Sequence, residues 1–77
     1  MACNLTIQKY NSLITKAEDF VIDNPTIRLG QSLWNTFYDE YSEILKPIEG
    51  SNNDPYLNNQ NIKNFLNYIK EHVRDNN

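Results

Sequence analysis

Four polar residues of this chain share a spacing that would let them act together. Arg28, Gln31, Asn35 and Asp39 follow one another at steps of three and four residues, which places them on one face of one helix. Together with Asp54-Pro55-Tyr56 from a later segment, they offer a guanidinium, amides, carboxylates and a phenol. These groups suit the binding of a polar or charged partner. No catalytic, metal-binding or phosphate-binding motif accompanies them.

This polar face supports two compatible interpretations. In the structural one, Gln31 and Asn35 hydrogen-bond the backbone of a nearby connector while Arg28 pairs with Asp54, since buried backbone groups need partners. In the functional one, a shallow surface notch binds a partner, because Arg and Tyr are enriched at binding hot spots. The predicted partner-binding residues are Arg28, Gln31, Asn35, Asp54 and Tyr56.

Other residues with reactive side chains are poorly arranged for catalysis or metal binding. Catalysis needs a nucleophile, a base and an orienting group within reach, and nothing in the sequence brings Cys3 and His72 together. Asp39, Glu40 and Glu43 lack the histidine or carbonyl-rich loop expected of a metal site. With only Gly30 and Gly50, the chain has no phosphate-binding loop. We therefore expect no enzyme activity, no metal and no cofactor.

Charged residues form two further surfaces. An acidic surface on the second helix could imitate nucleic-acid charge toward a basic groove; it comprises Asp39, Glu40 and Glu43, with Glu18, Asp19 and Asp23 as additional carboxylates. A basic stripe lies on the last helix; its members are Lys63, Asn67, Lys70 and Arg74. It could meet phosphates or an acidic partner, but we interpret it as a solvated face with cations near the helix C-terminus.

Length and composition narrow the class of protein. The 77 residues make one helical domain, 1–77, with a formal net charge of −3, so direct nucleic-acid binding is disfavoured. A single cysteine excludes an internal disulfide and fits a reducing compartment. No apolar run is long enough for a signal peptide or membrane span. We expect a soluble, cytoplasmic protein without membrane contact.

The elements that must position these residues are three amphipathic helices. Apolar residues at helical spacing predict a first helix from about Asn4, its N-cap, to Ile22. Asn24-Pro25 ends this helix and starts the second, which continues to about Lys46. Gly30 lies on its apolar side and predicts close approach of another backbone.

A connector, residues 47–59, joins the second and third helices. Within it, Asp54-Pro55 predicts a short turn carrying Tyr56 and Leu57. Asn58 or Asn59 caps the last helix, which ends near Arg74. The predicted fold is an all-α, compact three-helix bundle with antiparallel neighbours and a short turn between helices two and three.

The motifs resemble a group of small proteins from phages, prophages and bacteria. The shared pattern is Asn/Ser-Pro-x-x-Arg-x-Gly-Gln, an aromatic or aliphatic residue before Asn, and a later Asp-Pro-Phe/Tyr. Here it comprises Asn24-Pro25, Arg28, Gly30-Gln31, Leu33-Trp34-Asn35 and Asp54-Pro55-Tyr56. The resemblance implies a mobile-element setting, where small acidic helical proteins often act as stoichiometric inhibitors or adaptors.

The leading hypothesis is a non-enzymatic protein-interaction module, a phage-encoded inhibitor or adaptor of the counter-defence type that binds a protein in the host cytoplasm. The alternative is an oligomeric module that binds a small anionic ligand or nucleotide through Arg28 and Gln31. A third option is a bundle that dimerises through surplus aromatics such as Tyr38 and Tyr68. The sequence leaves the oligomeric state open.

Overall fold

The computed structural model describes residues 4–74 and contains three α-helices. They are α1 (Ile7–Asp23), α2 (Leu29–Leu45) and α3 (Ile62–Lys70), with 3₁₀ turns at Lys46–Ile48 and Asn59–Asn61. No strand occurs in this range. The predicted all-α three-helix bundle is confirmed. Cys3 lies outside the described residues.

Helix α1 begins two residues later than predicted. The hydroxyl oxygen of Thr6 accepts a hydrogen bond from the Lys9 backbone N–H at 3.1 Å, which makes Thr6 the N-cap in place of Asn4. At the other end, the backbone N–H of Asn24 donates to the carbonyls of Phe20 and Val21, so Asn24 closes the helix.

Helix α2 begins at Leu29, and the expectation that Asn24-Pro25 starts it is wrong. The side chain of Asn24 points back to α1 and donates to the Phe20 carbonyl at 2.9 Å. The N–H of Ile27 then closes a turn on the Asn24 carbonyl at 2.9 Å. Asn24 therefore serves as the C-cap of α1. Four residues, 25–28, lie between it and the first residue of α2.

Polar contacts between α1 and α2 show that the two helices are antiparallel. Lys9, early in α1, forms an ion pair with Glu40, late in α2, at 2.9 Å. Ala17, further along α1, accepts a hydrogen bond from the hydroxyl of Ser32 at 2.8 Å. The Ser32 hydroxyl is buried and therefore needs this partner.

The core lies between the three helices and is rich in aromatic side chains. Phe37 and Phe65 meet edge to face at 5.5 Å between ring centroids, an arrangement that aromatic rings favour. The other buried apolar residues are Leu5, Tyr10, Leu13, Ala17, Leu33, Trp34, Ile44, Leu45, Ile48 and Ile69. The core therefore combines residues from all three helices, which lie far apart in the sequence.

Tyr38 and Tyr68 pack within the chain and are not surplus aromatics. The ring of Tyr38 stacks on Trp34 at 5.9 Å, and the hydroxyl of Tyr68 donates to the Ile44 carbonyl at 2.7 Å. Both are partly buried against the core. The packing of both rings is therefore explained within one chain, and dimerisation stays a prediction.

Helix α3 is shorter than predicted and is preceded by a 3₁₀ turn. The side chain of Asn58 accepts from the Gln60 N–H at 2.9 Å and caps this 3₁₀ turn. The N-cap of α3 itself is Asn61, so the prediction that Asn58 or Asn59 caps the helix is wrong, because the 3₁₀ turn comes first. The helix ends at Lys70, whereas Arg74 lies beyond it and donates its backbone N–H to the Leu5 carbonyl at 2.7 Å. This bond ties the segment after α3 to the residue before the N-cap of α1.

Within residues 4–74, none of the helices combines the length and apolar character needed to cross a bilayer.

Candidate functional site

Asp54 is the central anchor of the connector and is only 3% exposed. One carboxylate oxygen accepts from the Gly50 N–H at 2.7 Å and the other accepts from the Tyr56 N–H at 2.9 Å. Gly50 allows the first bond because its φ of 80° is a left-handed conformation that favours glycine. The carboxylate therefore fixes the turn 55–57, which confirms the predicted Asp-Pro turn.

The predicted ion pair between Arg28 and Asp54 does not form. The Arg28 Nη2 donates instead to the Tyr56 backbone carbonyl at 2.7 Å, and both Asp54 oxygens are taken by backbone N–H groups. An aspartate before a tight turn accepts from the N–H two residues on, and this local bond satisfies the carboxylate without Arg28. Arg28 still joins α2 to the connector, as the structural interpretation required, but through a neutral acceptor.

Gln31 holds the first turn of α2. Its side-chain oxygen accepts from the backbone N–H of Arg28 at 3.3 Å, which satisfies one of the donors that a helix start leaves without a partner. The prediction that Gln31 hydrogen-bonds the connector is therefore wrong. Its contribution is to keep Arg28 at the N-cap position, from which the guanidinium reaches Tyr56.

Gly30 lies where the connector backbone crosses α2. A Cβ at this position would collide with the Pro55 carbonyl oxygen and lie 2.8 Å from the Asn59 side-chain oxygen. The same Asn59 oxygen accepts from the Gly30 N–H at 3.0 Å. The predicted close approach of another backbone at Gly30 is confirmed, and Pro55 is the residue that makes it.

Asn35 and Asp39 share the face of Arg28 by helical spacing but take no part in holding the connector. Both are exposed, and within residues 4–74 no hydrogen bond joins Asn35 to the connector. Asn35 lies about 10 Å along the helix axis from Arg28. The expectation that Asn35 bonds the connector is wrong, because the bonds to the connector come from Arg28 and Gly30 at the start of α2.

Tyr56 and Leu57 stand on the surface of the fixed turn. Their exposed fractions are 40% and 64%, while neighbouring Pro55 is buried. Together with Arg28 and Gln31 they form what we call the connector surface (Arg28, Gln31, Tyr56 and Leu57). Of the five predicted partner-binding residues, Arg28 and Tyr56 are exposed on this surface, and Gln31 is half-buried beside them.

Sequence reasoning missed three residues of this region. Asn59 and Asn61 both support the connector, the latter by donating its side-chain amide to the Asp54 carbonyl at 3.0 Å. Leu57 was expected on the turn but not as part of a site. Asparagine side chains commonly satisfy local backbone groups, so the run of asparagines after Leu57 was the available signal.

The acidic surface does not act as three equivalent carboxylates. Asp39 and Glu43 are exposed, but Glu40 pairs with Lys9, and its hydrogen bond raises the pKa of that lysine above the ordinary 10.5. The ion pair offsets one negative charge of the three. The nucleic-acid mimicry hypothesis therefore has less negative charge available than the sequence suggests.

A groove of about 750 Å³ lies between the second half of α2 and the residues after α3. Tyr41 on its wall interrupts the regular helix, with φ −131° and ψ 39°, and Tyr68 forms part of the facing wall. Charged lining residues of both signs, Glu43 and Arg74 among them, leave no single dominant charge. The kink at Tyr41 had no signal in the apolar pattern.

The remaining residues considered for chemistry stay apart. His72 lies past the end of α3, where its Nδ1 contacts the Tyr68 carbonyl at 2.9 Å. In the basic stripe, Lys63, Asn67 and Lys70 are exposed on α3. Among the described residues, no group of three or more His, Cys, Asp or Glu side chains is arranged to hold a metal ion.

Comparisons of the chain with protein-family models, curated proteins and solved structures found no match.

Proposed function

We propose that this chain is a small, non-enzymatic protein-interaction module that binds a protein partner through the connector surface. The observation that carries the proposal is the contrast within the turn 55–57. Tyr56 and Leu57 are exposed, yet the backbone beneath them is fixed by Asp54, Arg28 and Asn59. Exposed apolar side chains on a firmly held backbone are typical of a recognition surface.

Holding the turn in place lowers the entropy lost on binding. A flexible loop must be ordered when a partner docks, and each immobilised side chain costs about 0.5–1.5 kcal/mol. Here the hydrogen bonds of Asp54 order the backbone before a partner arrives. Burial of the apolar side chains of Leu57 and Tyr56 would then contribute to affinity, and little of that binding free energy would be offset by ordering the loop.

The geometry favours a protein partner over the small anionic ligand of the alternative hypothesis. The Gln31 oxygen already accepts from Arg28, and one guanidinium nitrogen already donates to Tyr56. The remaining contacts available at this surface are spread over exposed side chains. Small-molecule sites are concave and bury most of their ligand, whereas a protein can cover side chains that are spread over an open surface.

The inhibitor or adaptor role is part of the same proposal and comes from the resemblance to small phage and prophage proteins. A stoichiometric inhibitor works by covering a functional surface of its target. A rigid turn with apolar side chains suits this task, because it can enter a pocket without refolding. We place the target in the cytoplasm of the host cell.

Affinity capture with matched variants tests the proposal. The immobilised chain is exposed to lysate of its natural host, bound proteins are identified by mass spectrometry, and the strongest is purified for a direct binding titration. We expect Leu57→Ser to weaken the purified partner's binding by about tenfold or more, because this removes about 1.4 kcal/mol or more of apolar contact.

Ile22→Ser is the matched control, since Ile22 is an apolar residue of α1 that is 75% exposed. Its affinity should equal that of the unmodified chain, and both variants must keep the same unfolding midpoint. Equal binding by Leu57→Ser would overturn the proposal. A small molecule retained in native mass spectrometry, with no protein captured, would favour the ligand-binding alternative instead.

A further inference from the structure

Arg28 has hydrogen-bonding capacity that the fold does not use. A guanidinium carries five N–H donors in one plane, and the bond from Nη2 to the Tyr56 carbonyl uses one of them. Within residues 4–74 no carboxylate pairs with this side chain. Arg28 is exposed, so its other donors face the solvent beside the turn that carries Tyr56 and Leu57.

The positive charge of Arg28 is not neutralised by the connector. Asp54 is the only acidic residue between positions 50 and 61, and it is buried with both oxygens on backbone N–H groups. The bond to the Tyr56 carbonyl fixes where the guanidinium lies relative to the turn. A defined cation therefore stands next to defined apolar side chains on a chain whose net charge is −3.

We propose that the connector surface selects a partner segment in which a large apolar side chain stands next to a carboxylate. The apolar side chain packs on Leu57 and Tyr56, and the carboxylate of an Asp or Glu accepts hydrogen bonds from Arg28. This inference rests on the proposed function and names the chemistry of the partner. It explains why an arginine suits this position, because a guanidinium binds a carboxylate with two parallel bonds.

The bond to Tyr56 also makes the interaction selective. An arginine that is already positioned loses less conformational freedom when a carboxylate binds. A basic partner segment would face the guanidinium without a counter-charge, and such like-charge contacts are unfavourable. We therefore expect Arg28 alone to make the connector surface prefer acidic over basic partner segments.

A displayed library of random peptides, selected on the immobilised full chain, tests this inference. We expect enriched peptides to pair Leu, Phe or Trp with a neighbouring Asp or Glu. One enriched peptide is then synthesised, and its binding is titrated against the chain and its variants. Arg28→Gln should weaken binding by about tenfold or more, and Arg28→Lys should fall between the two.

Arg74→Gln is the matched control, because it removes an exposed cation outside the connector surface. It should bind the peptide as the unmodified chain does. Equal unfolding midpoints for the Arg28 variants would show that the loss is not a folding defect. If Arg28→Gln lowers the midpoint, Arg28→Lys with a retained midpoint gives the same comparison.

The outcomes separate this inference from the proposed function. Peptides that lack acidic residues but depend on Leu57 would overturn the inference and leave the connector surface as a docking site. Peptides that bind equally to Leu57→Ser, or no enrichment over a blank surface, would overturn both. Acidic peptides whose affinity is unchanged by Arg28→Gln would also overturn the inference.

Discussion

Helices α1 and α2 are held to each other by apolar packing, whereas the connector is held in place by side-chain hydrogen bonds. Between the helices, side chains such as Leu13, Leu33 and Phe37 are almost wholly buried, and packing does not depend on single polar bonds. The connector has no repeating backbone pattern, so its turns depend on particular side chains, above all Asp54. Removing one of them affects a local bond set, whereas removing a core residue affects all three helices.

This difference between the helices and the connector matters for function. The connector surface lies on the part of the molecule that side-chain hydrogen bonds hold in place, and the helices support it. Binding residues are often found on loops positioned by a rigid scaffold. If the two regions are held differently, variants of each should lose stability by different amounts and in different places.

The largest effect is expected from Phe37→Ala. Phe37 is fully buried and contacts the rings of Tyr10 and Phe65, so its loss leaves a cavity in the shared core. We expect a loss of about 3–5 kcal/mol in the free energy of unfolding. Urea unfolding followed by circular dichroism measures it.

Phe20→Ala is the matched control for this variant. Phe20 lies on α1 but is half exposed, and its truncation should cost about 1 kcal/mol or less, in line with other surface substitutions. Similar losses for both variants would mean that the core is not centred on Phe37 and would break the comparison.

The second effect is expected from Asp54→Asn. The change keeps the shape of the side chain but places an NH₂ group against one of two backbone donors, Gly50 or Tyr56. We expect a loss of about 2–3 kcal/mol, since hydrogen bonds to charged acceptors are among the stronger ones. Amide exchange should accelerate in the connector more than in α1.

Asp23→Asn removes the same charge from an exposed position at the end of α1 and should leave both stability and exchange nearly unchanged. Uniform acceleration of exchange through α1 and the connector in Asp54→Asn would contradict local anchoring. Such a result would show that the connector and the helices unfold as one unit.

A smaller effect is expected from Gly30→Ala, in which two contributions oppose each other. Alanine favours a helix by about 1 kcal/mol over glycine, but its Cβ collides with the Pro55 carbonyl. Overpacking against backbone typically costs about 1–3 kcal/mol, so we expect a net loss of up to about 2 kcal/mol in urea unfolding. The connector must shift away from α2.

Gly30→Ala with Asn59→Ala provides the control. It removes the side chain that lies 2.8 Å from the added Cβ but leaves the Pro55 backbone in place, so stability should not recover. Full recovery would show that Asn59, and not Pro55, is the obstacle. A net gain in stability for Gly30→Ala alone would contradict the close approach.

The helices and the connector also differ in how well the sequence predicts them. The three helices could be predicted because burial in the core imposes helical spacing on apolar residues such as Leu33 and Phe37. The start of α2 could not, because Asn24-Pro25 fits the end of one helix as well as the start of the next. The bundle is thus predictable from pattern, whereas its boundaries depend on which cap forms.

The connector was predicted in part. Gly30 correctly indicated a close backbone, and Asp54-Pro55 correctly indicated a turn. The partner of Arg28 was wrong, since opposite charges on Arg28 and Asp54 suggested a pair that the local bonds of Asp54 pre-empt. Choices among several chemically suitable acceptors depend on distances that a sequence does not contain.

The smallest effect is expected at alkaline pH and concerns the helices. Burial raises the pKa of Tyr10, and burial with the charge of Glu71 raises the pKa of Tyr68. The folded chain therefore holds these protons more tightly than the unfolded chain does. Their contribution is complete below the ordinary tyrosine pKa of 10.0, and it is lost as the pH rises through the higher folded values.

Urea unfolding between pH 7 and pH 11 measures this decline, and Tyr10→Phe and Tyr68→Phe should each make it less steep. Both hydroxyls bond helix carbonyls, those of Leu66 and Ile44, so each variant starts from a lower stability and only its slope is compared. The amide groups of Asn59 and Asn61 do not titrate, so the connector's side-chain bonds should persist as the helix contacts weaken. An unchanged slope in both variants would mean that the decline does not come from Tyr10 and Tyr68, which would contradict the prediction.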